Sequence, residues 1–305
     1  MSSAVHRPST RRGGNGRVDA GNNPGLESMP PMMTTKSTLT LAFSLSLVTA
    51  CAPAGRPDDA GTEAEVVTSQ EVLLSQGLSA RYLDCHEFAG VGLAPLANVA
   101  PLVPDDYIVI EAVPGMAIVV AQSGDCDEIS VNGHFAQPGT FAQFGVGVVP
   151  PTGTGNGNFY QLAFATTHPI LAARLRLLGV NARFTPHLSF EITGVSGAQA
   201  TLAISVPRPQ DFAFDLDGPV TLPDPSSPAN PLTTFNYWHQ SEGHGNILQE
   251  NAVTGIRFGA GSGVVLTAVG DELEAILGSP TLTFPFFSNP EIFDEAAVTV
   301  QTDAF

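Results

Sequence analysis

The sequence predicts a mainly β protein, a single antiparallel, barrel-like domain carrying two short helices. Three observations lead there. Short apolar runs follow one another from residue 86 to 149 and again from 184 to 267. Turn signals separate most of them, among them Pro114-Gly115, Asn132-Gly133 and Gly194-Val195-Ser196-Gly197. Only two segments carry helical punctuation. Where strands mostly follow strands, the sheet is antiparallel and closes as a barrel or packs as a sandwich. We expect about ten to twelve strands in the domain, 72–279, followed by an extended C-terminal tail, 280–305.

The elements follow in order. Residues 107–113 and 116–121 flank Pro114-Gly115 and read as a hairpin. Residues 141–149 form a strand stopped by Pro150-Pro151, and 158–165 form another after the Gly-rich loop 152–158. Residues 168–178 are the clearest helix. Thr167 is placed to cap it, Pro169 sits in its first turn and Gly179 ends it. Ile170, Leu171, Leu175 and Leu178 share one face of it. Strands resume at 184–193 and 199–206. The stretch 218–231 holds five prolines and reads as a surface loop. Further strands are expected at 235–239, 246–253 and 256–267, then a short helix over 271–277 closed by Gly278. The tail brings Phe284, Phe286 and Phe287 close together and is expected to pack along the domain.

Upstream of the domain, residues 37–50 (STLTLAFSLSLVTA) are uncharged and apolar, with Lys36 before them. A basic flank, a short apolar core and a small-residue exit describe a secretory signal peptide. The run is shorter than the roughly 20 residues that span a bilayer. It ends Val48-Thr49-Ala50-Cys51, which resembles the bacterial lipobox. That resemblance implies cleavage before Cys51 and lipid on its thiol, an anchor that holds stably once two or more acyl chains are attached. Ala52 at the next position resembles sorting to the outer membrane. An ordinary signal peptide with a chance cysteine is the competing reading. Residues 1–32, rich in Gly, Arg, Ser and Pro, do not suit a signal peptide. A start at Met33 does, so Met1 reads as a misassigned start, and Arg11-Arg12 lie too far from the apolar run for a twin-arginine signal. Residues 51–71 are small and acidic and read as a lipidated, flexible tether.

From Cys51 onward the chain has seven arginines, no lysine and 27 acidic residues, a net charge of −20. Nucleic acid is excluded as a partner, because that affinity comes from cations on phosphates. Lys36 is the only lysine of the whole chain. No lysine of the domain can form a Schiff base, serve a P-loop or act in a Ser–Lys dyad. Apart from Cys51, the cysteines are Cys85 and Cys126, which most simply pair in an oxidising envelope. A catalytic thiol is the alternative.

The phrase Pro101-Leu102-Val103-Pro104-Asp105-Asp106-Tyr107 leads into a hairpin. A strand follows, then Asn158-Phe159-Tyr160-Gln161-Leu162-Ala163, then the helix ending Leu178-Gly179, then strands over 184–206. Over residues 85–278 this order resembles the acetoacetate-decarboxylase-like β-barrel superfamily. The resemblance implies a cone-like barrel around an apolar cavity. It also implies a Schiff-base lysine just after the helix. Here that stretch is Gly179-Val180-Asn181-Ala182-Arg183-Phe184-Thr185-Pro186, without lysine. A Schiff-base decarboxylase is therefore excluded, and fold alone does not fix another function.

Candidate site residues follow from spacing. His187 and Glu191 share a strand face. With Arg183 and Arg257 they are placed to line a cavity and hold a carboxylate by bidentate contact. The bland reading pairs Arg183 with Glu191 as a structural ion pair. Glu111 lies mid-strand and faces either cavity or solvent. His239, Glu242 and His244 cluster in sequence as weak metal ligands, or as a solvated turn, since Gly243 and Gly245 oppose a helix. His168 opens the main helix, His134 adjoins a turn and His86 adjoins Cys85. Gly194-Val195-Ser196-Gly197-Ala198 lacks the last glycine of a nucleophile elbow. Gly259-Ala260-Gly261-Ser262-Gly263 leads into strand, not helix, so it reads as a barrel bend. No cofactor is implied.

The leading expectation is a lipid-anchored envelope protein that binds a small hydrophobic or organic-acid ligand in a barrel cavity. One alternative is a lysine-independent lyase, hydratase or isomerase, with His187 or His239 and a glutamate (Glu191 or Glu242) as acid–base pair. The other is a non-catalytic envelope or adhesion module with a solid core.

Overall fold

The computed structural model describes residues 77–153, 157–208 and 212–302. The expected signal peptide, Cys51 and the expected tether lie outside the described residues.

The chain opens with β1 (Leu78–Pro95), a one-turn helix α1 (Leu96–Val99) and a 3-10 turn, Ala100–Leu102. Then come β2 (Ile108–Val109), β3 (Glu111–Val113), β4 (Met116–Val131), β5 (His134–Val149) and β6 (Asn158–Thr166). Helix α2 (Pro169–Leu177) leads to β7 (Ala182–Phe184), β8 (Ser189–Ser196), β9 (Gln199–Val206) and β10 (Phe214–Thr221). The hairpin β11 (Thr233–Ser241) and β12 (Gly245–Thr254) follows, then β13 (Arg257–Phe258) and β14 (Val265–Ala268). Helix α3 (Asp271–Leu277), β15 (Thr281–Thr283) and β16 (Phe287–Thr302) complete it.

Seven strands close into a barrel in the order β5-β4-β1-β16-β12-β11-β6, with β6 pairing back onto β5. Most neighbours are antiparallel, as expected. Two are parallel, β6 with β7 and β6 with β11. The first follows from the helix between those strands, since a parallel neighbour needs a crossover connection. A separate antiparallel sheet, β15-β14-β10-β9-β8, lies beside the barrel.

The two faces of the barrel wall have different partners. Phe88, Phe144 and Val146 share a core with Leu202, Leu216 and Leu266 of the second sheet. Tyr82, Ile129 and Ile247 instead share one with Leu171 and Leu175 of α2. Each fully buried leucine contributes on the order of 2 kcal/mol. Helix α2 is set by its ends. His168 is its N-cap, its Nδ1 accepting from the Leu171 amide at 3.1 Å while Nε2 lies 3.0 Å from the Phe135 carbonyl. The expected cap, Thr167, instead accepts from the Thr140 amide at 2.8 Å. Gly179 follows the helix with φ +89, and any Cβ there would strike Ser241 Oγ, so the helix end seats directly on the β11–β12 hairpin.

Cys85 and Cys126 are bonded, and they are direct cross-strand partners with Cα atoms 4.1 Å apart. Beside them Asp84 has φ +48, and the register with β16 and β4 is the same before and after it. The residues that face inward nevertheless switch parity there. Leu78, Ala80 and Tyr82 are buried before it, and Cys85 and Glu87 after it.

Three expectations about elements change. The prolines of 218–231 do not exclude a strand through Thr221, because Pro219 pairs only with β9, beyond the reach of β14. The run 256–267 is two strands in different sheets, and Gly259-Ala260-Gly261-Ser262-Gly263 carries the chain between them. The tail is not an appendage, since β16 is hydrogen-bonded between β1 and β12 and completes the barrel. Among the described residues there are also three short helices where two were expected.

Candidate functional site

Each of the seven barrel strands supplies a buried polar side chain to the interior, Glu87, Gln122, Gln143, Gln161, Tyr237, Gln249 and Glu291, and β12 adds Asn251. Four of them form a row. Gln161 Nε2 donates to Gln143 Oε1, Gln143 Nε2 to Gln122 Oε1, and Gln122 Nε2 to the Glu87 carboxylate. Tyr237 OH donates to Gln122 Oε1 as well. Burial raises the Tyr237 hydroxyl well above the usual phenol range, so it stays a donor.

The row ends on a carboxyl pair. Glu87 and Glu291 are cross-strand partners in β1 and β16, 6% and 3% exposed. Burial pushes Glu87 above the ordinary carboxylate range, against the pull of the Gln122 bond. Burial raises Glu291 too, and the charge of Glu87 adds to it. Two like carboxyls out of water resist ionising together, so they titrate as one unit that keeps a proton at neutral pH.

Above this floor the barrel holds a cavity of about 340 Å³. Its walls are Ala89, Val91, Val120, Phe159, Phe235 and Phe287, with Thr233, Phe258, Tyr237, Gln122 and the two glutamates completing them. Phe258 is 40% exposed and meets Phe287 edge-to-face at 6.0 Å, so this pair stands where the cavity reaches solvent. On the other side of Glu87 a void of about 30 Å³ reaches Gln249 and Asn251. An apolar pocket with a few convergent polar groups is the usual form of a small-molecule site. A solid interior, the mark of a purely structural module, is not what this barrel has.

The residues picked from spacing are elsewhere. Arg183 is exposed on β7, beside a crevice of about 20 Å³ that it shares with Asn181 and Phe212. His187 and Glu191 are exposed, and Glu191 lies on β8, the edge of the second sheet. Arg257 precedes the cavity residue Phe258 and so faces away from it. Its Nη1 lies 3.3 Å from Asp294 and 2.9 Å from the Gly255 carbonyl. Glu111 is exposed and accepts from the Gly115 amide, capping its own hairpin turn. His239 is buried away from the cavity, and burial pushes it down to about 3, so it is neutral. Glu242 is exposed and His244 half-buried in the following turn. Among the described residues no three His, Cys, Asp or Glu side chains come together as metal ligands.

Glu87, Glu291 and the glutamine row escaped the sequence reading. One signal was present. A lone glutamine sits inside each of three successive apolar strands, Val120-Ala121-Gln122, Phe141-Ala142-Gln143 and Phe159-Tyr160-Gln161. A polar residue alone in a strand is a candidate for a shared buried network.

No known family's sequence profile matches the chain, and no curated protein matches it. Solved structures do. Acetoacetate decarboxylase aligns at 11% identity and TM-score 0.49, over 78% of this chain and 95% of the other. An acetoacetate decarboxylase-like enzyme from Sphingomonas wittichii RW1 aligns at 12% and 0.44, over 80% and 98%. The enduracididine biosynthesis enzyme MppR, complexed with the condensation product of pyruvate and imidazole 4-carboxaldehyde, aligns at 12% and 0.45, over 81% and 98%. The barrel and its cavity stand on the strand pairing of this chain itself.

Proposed function

We propose that this is an exported, lipid-anchored protein of the bacterial envelope whose barrel binds a small hydrophobic molecule with a polar head. The observation that carries the binding half is the cavity of about 340 Å³, apolar on its walls and polar on its floor. A cavity of about 150 Å³ accommodates benzene, so this one suits a ligand of roughly twice that size. The organic-acid version of the idea loses its clamp, because Arg183 and Arg257 lie outside the lining. The export half rests on the apolar run 37–50 and Cys51.

Native mass spectrometry of the full chain, expressed with its own leader and extracted in detergent, tests both halves. The expected result is a diacylated Cys51 N-terminus and a small molecule released on denaturation. An uncleaved chain would sink the anchor. An empty barrel that takes up nothing from a panel of small apolar compounds would sink the binding role.

A second reading has one observation in its favour. Glu87 and Glu291 stand opposite each other on β1 and β16 in the lining of an apolar cavity, and burial raises both carboxyls, an arrangement suited to proton transfer. It replaces the histidine–glutamate pairs expected from sequence. Turnover of a bound compound, abolished in both Glu87→Gln and Glu291→Gln, would establish it.

A further inference from the structure

We infer that the barrel cavity selects an organic cation, a protonated amine on an apolar body, over neutral and anionic molecules of the same shape. This rests on the binding role proposed above and names the ligand class for it.

The argument is one of charge and of donors against acceptors. Two glutamates line the cavity and no basic residue does. The glutamine row donates toward the carboxylate of Glu87, so the network ends on an acceptor. Next to this floor Gln249 Oε1 is buried without a hydrogen-bond partner. Gln249 is 3% exposed and lines the small void that shares Glu87, Gln122, Phe235 and Tyr237 with the main cavity. A buried acceptor without a donor destabilises the site, and a ligand that brings N–H groups satisfies it. An ammonium has donors and no acceptor.

The walls point the same way. Phe159, Phe235, Tyr237, Phe258 and Phe287 are all in the lining. Aromatic faces carry negative potential and attract a cation within about 6 Å of the ring. Phe159 and Tyr237 are tilted against each other at 5.8 Å, and Phe258 and Phe287 edge-to-face at 6.0 Å. The net charge of −17 also favours the approach of cations over anions.

An ammonium beside the carboxyl pair stabilises the ionised form, so entry of the cation expels a carboxyl proton to solvent. The proton leaves a carboxyl O–H and no other bond changes. Affinity for an amine therefore rises with pH, and binding of its alcohol analogue does not release a proton.

Calorimetry on the full chain with 4-phenylbutylamine, 4-phenylbutanol and 4-phenylbutanoate tests this. The amine should bind at least tenfold tighter than the alcohol at pH 7, and the acid weakest. The amine should release protons, read as a binding enthalpy that differs between phosphate and Tris buffers. In Glu87→Gln/Glu291→Gln the amine should lose its advantage over the alcohol, and an unchanged circular-dichroism spectrum and a cooperative melt report that the variant is folded. If the alcohol binds and the amine has no advantage, or keeps it in the double variant, cation selection is wrong while the binding role survives. If none of the three binds, both fall.

Discussion

At one end of the barrel, Leu171 and Leu175 of α2 share a fully buried core with Ile129 and Ile247. At the other end, Ala89, Val91 and Val120 leave about 340 Å³ open. Both ends use the strands of one barrel, and both alternate inward and outward residues. The difference lies in what covers the mouth and in the size of the inward side chains. A helix with an apolar face plugs the first end. At the second, short side chains on β1 and β4 stand opposite a rim of phenylalanines. The polar floor divides them. Stability and binding are therefore separable in this domain, and substitutions at the two ends should report different quantities.

The largest effect belongs to the seam between the halves. Replacing Cys85 and Cys126 together by serine removes a bond that closes a loop of sequence separation 41. The expected loss is about 4 kcal/mol in the chain-entropy model, read as a lower urea midpoint. Next comes the plugged end. Leu175→Ala, at 1% exposure, should cost about 2–5 kcal/mol and leave the affinity of any cavity ligand unchanged once folding is corrected for. Phe258→Ala at the open end should do the reverse. Its ring is 40% exposed, so stability should move by less than about 1 kcal/mol while affinity falls. Equal stability losses at Leu175 and Phe258 would erase the distinction.

The floor should make stability pH-dependent. Burial raises both Glu87 and Glu291 above the ordinary carboxylate range in the folded chain. Groups raised on folding stabilise fully below their unfolded values, near 4.3, and lose that contribution as pH rises through the folded ones. The melting temperature should therefore fall as pH climbs from 5 toward 9. Glu291→Gln should flatten that slope, gaining roughly 1–3 kcal/mol over the native chain at the alkaline side. Glu87, raised by burial alone, should keep a smaller slope in Glu291→Gln, and an undiminished slope in the Glu87→Gln/Glu291→Gln chain would move the titration to another group.

Much of this architecture was legible and its site was not. Turn pairs such as Asn132-Gly133 and Pro114-Gly115 act locally, so the hairpins they join are where expected. Helix α3 and its closing Gly278 (φ +66) are likewise local. The disulfide followed from counting cysteines. The glutamate pair depends on register across β1 and β16, whose Cα partners are 204 positions apart in sequence, and no local pattern encodes that. Face assignment failed for related reasons. Glu191 alternates correctly, but within the second sheet. Arg257 sits one residue from Phe258 and so took the opposite face. At Asp84 the inward parity itself switches, which alternation alone cannot reveal.

The smallest effect is the sharpest discriminator between the two ends, because it adds carbon instead of removing it. Ala80 and Ala89 lie on the same strand, the first 2% exposed in the plugged core and the second in the cavity wall. Enlarging a residue in a packed interior forces neighbours off their rotamers and costs about 1–3 kcal/mol. Ala80→Leu should show that loss. Ala89→Leu places its new carbons in space already empty, gaining apolar contact without displacing anything, so stability should hold within about 1 kcal/mol or rise slightly. Its cost should appear as weakened binding of the largest ligands first. If Ala89→Leu destabilises as much as Ala80→Leu, the cavity is not open space in solution, and the separation of stability from binding fails with it.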